Sequence, residues 1–143
     1  MKIIEYKGPI FVTTIYILIY YGFIFNILRT KLILFKKYKK EGKKFDRYFG
    51  QDRNMLAADR AQINMLEQMP VFLILLWLCA IFHSAKTATI LGSVYVLSRA
   101  LYPFLVGARM GRDIPLKLLV STFTGYGVII TFMMLLLYST LGM

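Results

Sequence analysis

Four apolar stretches, roughly Ile10 to Phe35, Ala61 to Phe82, Thr87 to Val106 and Ile114 to Tyr138, constrain this chain more than any other feature. Each is close to the ~20 residues that an α-helix needs to cross ~30 Å of hydrocarbon. Backbone groups in lipid are satisfied only within helices or closed barrels, and these runs lack the period-2 alternation of barrel strands. The sequence therefore predicts an all-α integral membrane protein, a single four-helix bundle domain over residues 1–143. Helices are expected at about 9–35, 56–82, 87–107 and 114–139, with a basic polar loop at about 36–55. The composition agrees, since 58% apolar residues and a mean hydropathy of +0.60 are too much for a soluble domain of this size. The sequence HSAK between the second and third stretches is so short that those helices must be antiparallel neighbours. Pro9 and Pro115 suit the first turns of the first and last helices, and Pro70 and Pro103 should kink the two between them.

A net charge of +11 would suit nucleic acid if the positive groups covered a globular face, but they are gathered in loops. From Arg29 to Arg60 lie eleven of the eighteen Lys and Arg residues, including KKYKKEGKK, while Arg109, Arg112 and Lys117 crowd the junction before the fourth stretch. The other ends carry only Lys2, Lys7 and Lys86. The positive-inside rule then puts both basic loops in the cytoplasm and both termini on the non-cytoplasmic side, as an even number of crossings requires. Membrane lipids rather than nucleic acid are the expected surroundings, with anionic lipid attracted by ~1 kcal/mol per near-surface lysine. The single Cys79 lies inside an apolar run, so neither an intrachain disulfide nor a cysteine-based metal site is expected. The first apolar segment is longer than a signal-peptide h-region and no small-residue cleavage pattern follows it, so it is expected to remain as a helix. His83 stands alone, and there is no acid pair, Ser-His-Asp set or glycine-rich phosphate loop.

The chemistry is concentrated in RAQINMLEQMP, residues 60–70, directly before fourteen residues, Met69 to Phe82, without a charge or an amide. Those fourteen residues cover only ~21 Å of a ~30 Å core, so the polar residues must supply the rest of the crossing. On a helix Arg60, Asn64 and Glu67 form one stripe, flanked by Gln68, with Gln62 farther round. A charged side chain at depth costs at least ~2.5 kcal/mol, so the stripe must face protein or a wet cavity. Arg99, followed by Tyr102, also needs a partner, and Asn26 and Arg29 add polar groups at the same end of the first helix. Guanidinium groups for carboxylates, one carboxylate for an ammonium, and amides for a peptide backbone make an inventory that fits a small peptide-like ligand. An Arg60–Glu67 or Arg99–Glu67 pair that merely stabilises the bundle fits the spacing equally well.

RAQINMLEQMPVF resembles the helix 2 signature of the MAPEG family, the membrane-associated proteins in eicosanoid and glutathione metabolism, which reads approximately R-A-x-x-N-x-x-E-x-x-P-x-F. SRALYPF is similar to the Arg-x-x-Tyr of the family's helix 3, FTGYGVIITFMMLL to helix 4 of the microsomal glutathione transferase branch, and Arg29 in LRTK to the arginine ending helix 1. The resemblance implies a homotrimer with a glutathione site at each subunit interface, opening on the cytoplasmic side, in a bacterial inner membrane or the endoplasmic reticulum. By position it implies that Arg29, Arg60, Gln62, Asn64, Glu67 and Tyr102 bind glutathione, with Asn26, Gln68 and Arg99 in support. Arg112, three residues before Pro115, is the expected thiol-activating arginine and Arg109 the second choice. Glutathione is thus the implied co-substrate, without a metal, and a hydrophobic electrophile or lipid hydroperoxide its reaction partner. Gln68 and Val106 stand where the leukotriene-synthase branch has tyrosines, which favours a general transferase or peroxidase over that branch. A non-catalytic lipid-binding scaffold of the same family is the alternative.

Overall fold

The computed structural model describes residues 3–107, 111 and 116–142. A 3₁₀ turn at Ile3–Tyr6 leads into α1 (Lys7–Lys40), followed by α2 (Arg53–Cys79), a π-helical turn (Ala80–Ser84), α3 (Ala85–Val106) and α4 (Lys117–Leu141). Three continuous helical runs are long and apolar enough to cross a membrane, Ile4–Lys40, Arg53–Val106 and Lys117–Leu141. The middle run is two helices, α2 and α3, folded back on each other at Ser84, whose φ of −163° and ψ of 124° are extended. The Ser84 hydroxyl accepts from the Thr87 N–H at 3.3 Å and so caps α3. HSAK is therefore a one-residue break preceded by a widened π turn.

Side-chain pairs fix the directions of the helices. Tyr38 meets Asp52 and Thr13 meets Trp77, so α1 and α2 are antiparallel. Leu76 lies against Gly92 and Phe72 stacks on Tyr95 with ring centroids 4.0 Å apart, which makes α2 and α3 antiparallel. The Ser121 hydroxyl donates to the Ser98 carbonyl at 2.7 Å, tying α4 to α3, and His83 meets Ser139 at 2.9 Å where the π turn reaches the far end of α4. The core is aromatic at its centre: Tyr16, Phe72 and Tyr95 are each fully buried, joined by Met65, Leu76, Phe132 and Cys79. Cys79 is a packing residue there.

Both internal prolines lie within continuous helix, Pro70 in α2 and Pro103 in α3. Each removes the donor for the carbonyl four residues back. In both helices the adjacent carbonyl, five residues back, receives a hydroxyl from a neighbouring helix: Tyr16 donates to Met65 at 2.9 Å, and Ser121 to Ser98. Another helix thus supplies donors beside each break, as hydrocarbon surroundings demand.

The connection between α1 and α2 is shorter and more ordered than a loop over 36–55, because α1 continues to Lys40 and α2 begins at Arg53. Gly42, at φ 67°, ends α1 in a Schellman motif: the Lys43 N–H donates to the Tyr38 carbonyl at 2.9 Å and the Gly42 N–H to Lys39 at 3.2 Å. Leu34, Met55 and Ala58 form a satellite cluster, covered by Ile27, Tyr38 and Phe45. The Asp52 carboxylate caps α2 through the N–H groups of Asn54 and Met55 and accepts the Tyr38 hydroxyl at 3.0 Å.

Candidate functional site

Arg60, Asn64 and Glu67 occupy successive turns of α2, and their surroundings differ sharply. Asn64 is half-buried toward α3, whereas Arg60 and Glu67 are exposed on the outer side of the bundle among Ile63, Leu66 and Val71. The Arg99 guanidinium, 2% exposed, reaches across from α3 and donates from Nη1 to Asn64 Oδ1 at 2.7 Å. Neither the Arg60–Glu67 nor the Arg99–Glu67 pair forms; among the described residues the ion pairs are Lys43–Glu41 and Arg47–Asp59. A neutral amide, not a carboxylate, is what meets the buried charge.

Two further features accommodate that charge. The guanidinium carbon lies 5.0 Å from the centroid of the Tyr95 ring, a cation–π contact that is strongest where water is excluded. Gly125 of α4 provides the space, because a β-carbon at that position would overlap the guanidinium. Arg99 Nε and the Tyr95 hydroxyl have no hydrogen-bond partner among the described residues, so the centre of the bundle is polar and incompletely satisfied.

The remaining candidates have surroundings of their own. The Gln62 amide donates to the Tyr20 hydroxyl at 3.0 Å, an interaction between α2 and α1. Tyr102 is nearly buried, packed with Ala57, Ala61 and Val106, and Gln68 is half-buried. Asn26 lines a groove of about 510 Å³ between α1, α2 and α3, with Thr30, Asn54, Ala57, Ala61 and Gly107 among its other walls. Arg29 is exposed on α1 beside Thr30. Arg109 and Arg112, the two candidates for thiol activation, lie outside the described residues, as does Pro115. Among the described residues no group of His, Cys, Asp and Glu has the make-up of a metal site.

Sequence reasoning missed Tyr16, Tyr20, Tyr95 and Gly125, the residues that hold the polar ones in place. The signal was present in part: Tyr95, Arg99 and Tyr102 repeat at helical spacing, as do Tyr16 and Tyr20, so each set shares a face. Gly125 had no such signal, because its role depends on what α3 sends toward it.

An uncharacterized protein of Synechocystis sp. is 51% identical to this chain over 43 residues, which are 30% of this chain and 31% of that protein. The matched part thus spans about a third of the length of that relative. A family profile described as the MAPEG family matches residues 9–138, nearly the whole helical bundle with its polar α2 stripe, and the chain belongs to that family.

Proposed function

We propose that the protein is a membrane-bound glutathione transferase, with peroxidase capacity, that holds glutathione as a thiolate for attack on hydrophobic electrophiles. Family membership supports a membrane protein of glutathione and eicosanoid metabolism. The observation that carries the finer reading is the Arg99–Asn64 hydrogen bond. Because Asn64 Oδ1 is occupied by a guanidinium, the amide is left with its N–H donors for a ligand, and it is oriented for a peptide carbonyl or carboxylate. Arg60 and Arg29 then serve the carboxylates of glutathione and Glu67 its ammonium, with Gln62 and Tyr102 against the tripeptide and Asn26 and Gln68 in support.

In this reading three copies assemble, each interface completes one site, and the site opens toward the basic loops, on the cytoplasmic side of a bacterial inner membrane or the endoplasmic reticulum. Arg112, or Arg109 in its place, lies beside the sulfur. A free thiol near pKa ~8.5 is mostly protonated at neutral pH, and an adjacent guanidinium favours the thiolate. The thiolate forms a sulfur–carbon bond as the leaving group departs with its electron pair. With a lipid hydroperoxide it attacks the terminal oxygen and the O–O bond breaks, giving a sulfenic acid and an alkoxide that takes a proton from water to become the alcohol. A second glutathione converts that sulfenic acid to the disulfide and water.

The test is thiolate absorbance on adding glutathione to detergent-purified protein, together with conjugation of a chlorinated dinitrobenzene. Arg112→Ala is expected to keep glutathione binding while raising the bound thiol's pKa by about 1–3 units. A well-folded wild type with neither signal rejects the proposal. Binding of hydrophobic ligands without thiolate formation selects the lipid-binding scaffold instead.

A further inference from the structure

The turn between α1 and α2 presents two aromatic rings that its own chain leaves uncovered. Tyr48 is 84% exposed and Phe49 90%, although Phe45, a few residues earlier, packs inward on the Leu34–Met55–Ala58 cluster. Their exposure is built in rather than left over. The Asp46 carboxylate accepts from the N–H groups of both Tyr48 and Phe49, at 3.0 and 2.9 Å, which closes a tight turn. Gly50 comes back so close to the Asp46 carbonyl that no side chain would fit there. Arg47, between them, forms a bidentate ion pair with Asp59 of α2 at 2.8 and 3.0 Å. The turn is pinned from both sides and both rings stay exposed, the Arg47 guanidinium 5.9 Å from the centroid of the Tyr48 ring.

The charge around the rings has one sign. Each carboxylate of the segment is engaged locally: Glu41 with Lys43, Asp46 with its turn, Asp52 with the α2 N-terminus and Tyr38, Asp59 with Arg47. Lys36, Lys37, Lys39, Lys40 and Lys44 are all exposed and make no ion pair with these groups. Aromatic rings set among lysines, just past the point where α1's apolar run ends at Phe35, match the chemistry of a lipid headgroup layer.

We propose that this turn is an interfacial anchor for an anionic leaflet on its own side of the membrane, with Tyr48 and Phe49 entering between headgroups and the lysines meeting lipid anions. A lipid leaflet fits better than an acidic protein because any chain that crosses the membrane keeps this loop beside one, and because each lysine near an anionic surface adds ~1 kcal/mol of attraction. The anchoring is independent of any glutathione chemistry.

The test uses the full chain in nanodiscs with Trp77→Phe and Phe49→Trp, so that the turn carries the sole tryptophan. Blue-shifted emission, quenched by brominated lipid and more strongly with phosphatidylserine than with phosphatidylcholine alone, is the expected result. Changing Lys36, Lys37, Lys39, Lys40 and Lys44 to Gln should abolish the phosphatidylserine dependence. Water-like emission that iodide quenches in both lipids overturns the proposal. Emission shielded from iodide yet untouched by brominated lipid overturns it too, since protein then covers the turn. Should the Trp77→Phe background fail to fold, a nitroxide at Tyr48→Cys replaces it, read by relative access of oxygen and a nickel chelate, with Cys79 buried from the label.

Discussion

Arg99 brings a permanent charge into the bundle, seven residues (106 − 99) before the last residue of α3, about 10 Å from that helix end at 1.5 Å per residue. Such a group is tolerated only where protein dipoles replace its hydration. Asn64 supplies one, the Tyr95 ring a second contact, and Gly125 the room for both. Gly125→Ala is therefore expected to push the guanidinium off Asn64 and to lower thermal stability by about 1–3 kcal/mol, the usual cost of overpacking a closed core. Gly127→Ala is the control, because nothing lies within 4 Å of its would-be β-carbon. A mid-helix alanine there should be neutral or stabilising by up to ~1 kcal/mol. Equal effects of the two substitutions on the melting temperature in one detergent would remove Gly125 from this account. On the proposed function, Gly125→Ala should also weaken glutathione binding while Gly127→Ala leaves it unchanged. The need for a partner was legible from Arg99 in an apolar run, but the choice of Asn64 over Glu67 was not. Spacing along α2 puts both residues on one stripe, and only the packing of α3 decides which edge of that stripe is inside.

At the scale of elements, the helices were legible because hydropathy and length dictate them, whereas the α1–α2 connection was not. Its order rests on contacts between residues far apart along the chain: Tyr38 with Asp52, Arg47 with Asp59, Phe45 on the Leu34 cluster. A single basic tract reads as loop whether or not such clips exist. The Arg47–Asp59 pair is about three-quarters buried at both partners, so Asp59→Asn, which loses a charge-assisted bidentate contact, should loosen the turn by about 1 kcal/mol. Limited trypsin digestion checks this: cleavage at Lys43, Lys44 or Arg47 should accelerate while cleavage outside the turn stays unchanged. The turn should also respond to acid. The N–H groups of Phe49 and then Tyr48 hold the Asp46 carboxyl below its ordinary range. A carboxyl depressed by folding stabilises the turn fully above its unfolded value of ~3.9, and that contribution is lost as pH falls through the depressed value. Amide exchange at Tyr48 and Phe49 should accordingly be protected at neutral pH and released only as pH falls below the ordinary carboxylate range. With Asp46→Ala the protection should be absent throughout.

At the scale of the whole molecule, the exposed side of α2 cannot face lipid as it stands. Glu67 lies three residues (67 − 64) beyond Asn64 along α2, about 4.5 Å farther from the end where α3 terminates, and it is exposed together with Arg60. Each such charge in hydrocarbon costs at least ~2.5 kcal/mol, and the apolar Ile63, Leu66 and Val71 beside them are no less exposed. A mixed face of this kind suits contact with protein, and a second copy of the chain is the partner that the proposed assembly supplies. The resemblance read from the sequence suggests three copies, and native mass measurement in detergent or nanodiscs counts them. The informative variant replaces both charges, Arg60→Leu with Glu67→Leu. If lipid covered this face, removing two misplaced charges would stabilise an isolated subunit by several kcal/mol, and the mass would be unchanged. If another subunit covers it, the same change deletes polar contacts across the interface, so the assembly should dissociate at lower protein concentration and melt earlier. A wild-type monomer whose double-leucine variant melts later would therefore reject both the shared interface and the glutathione site that it completes.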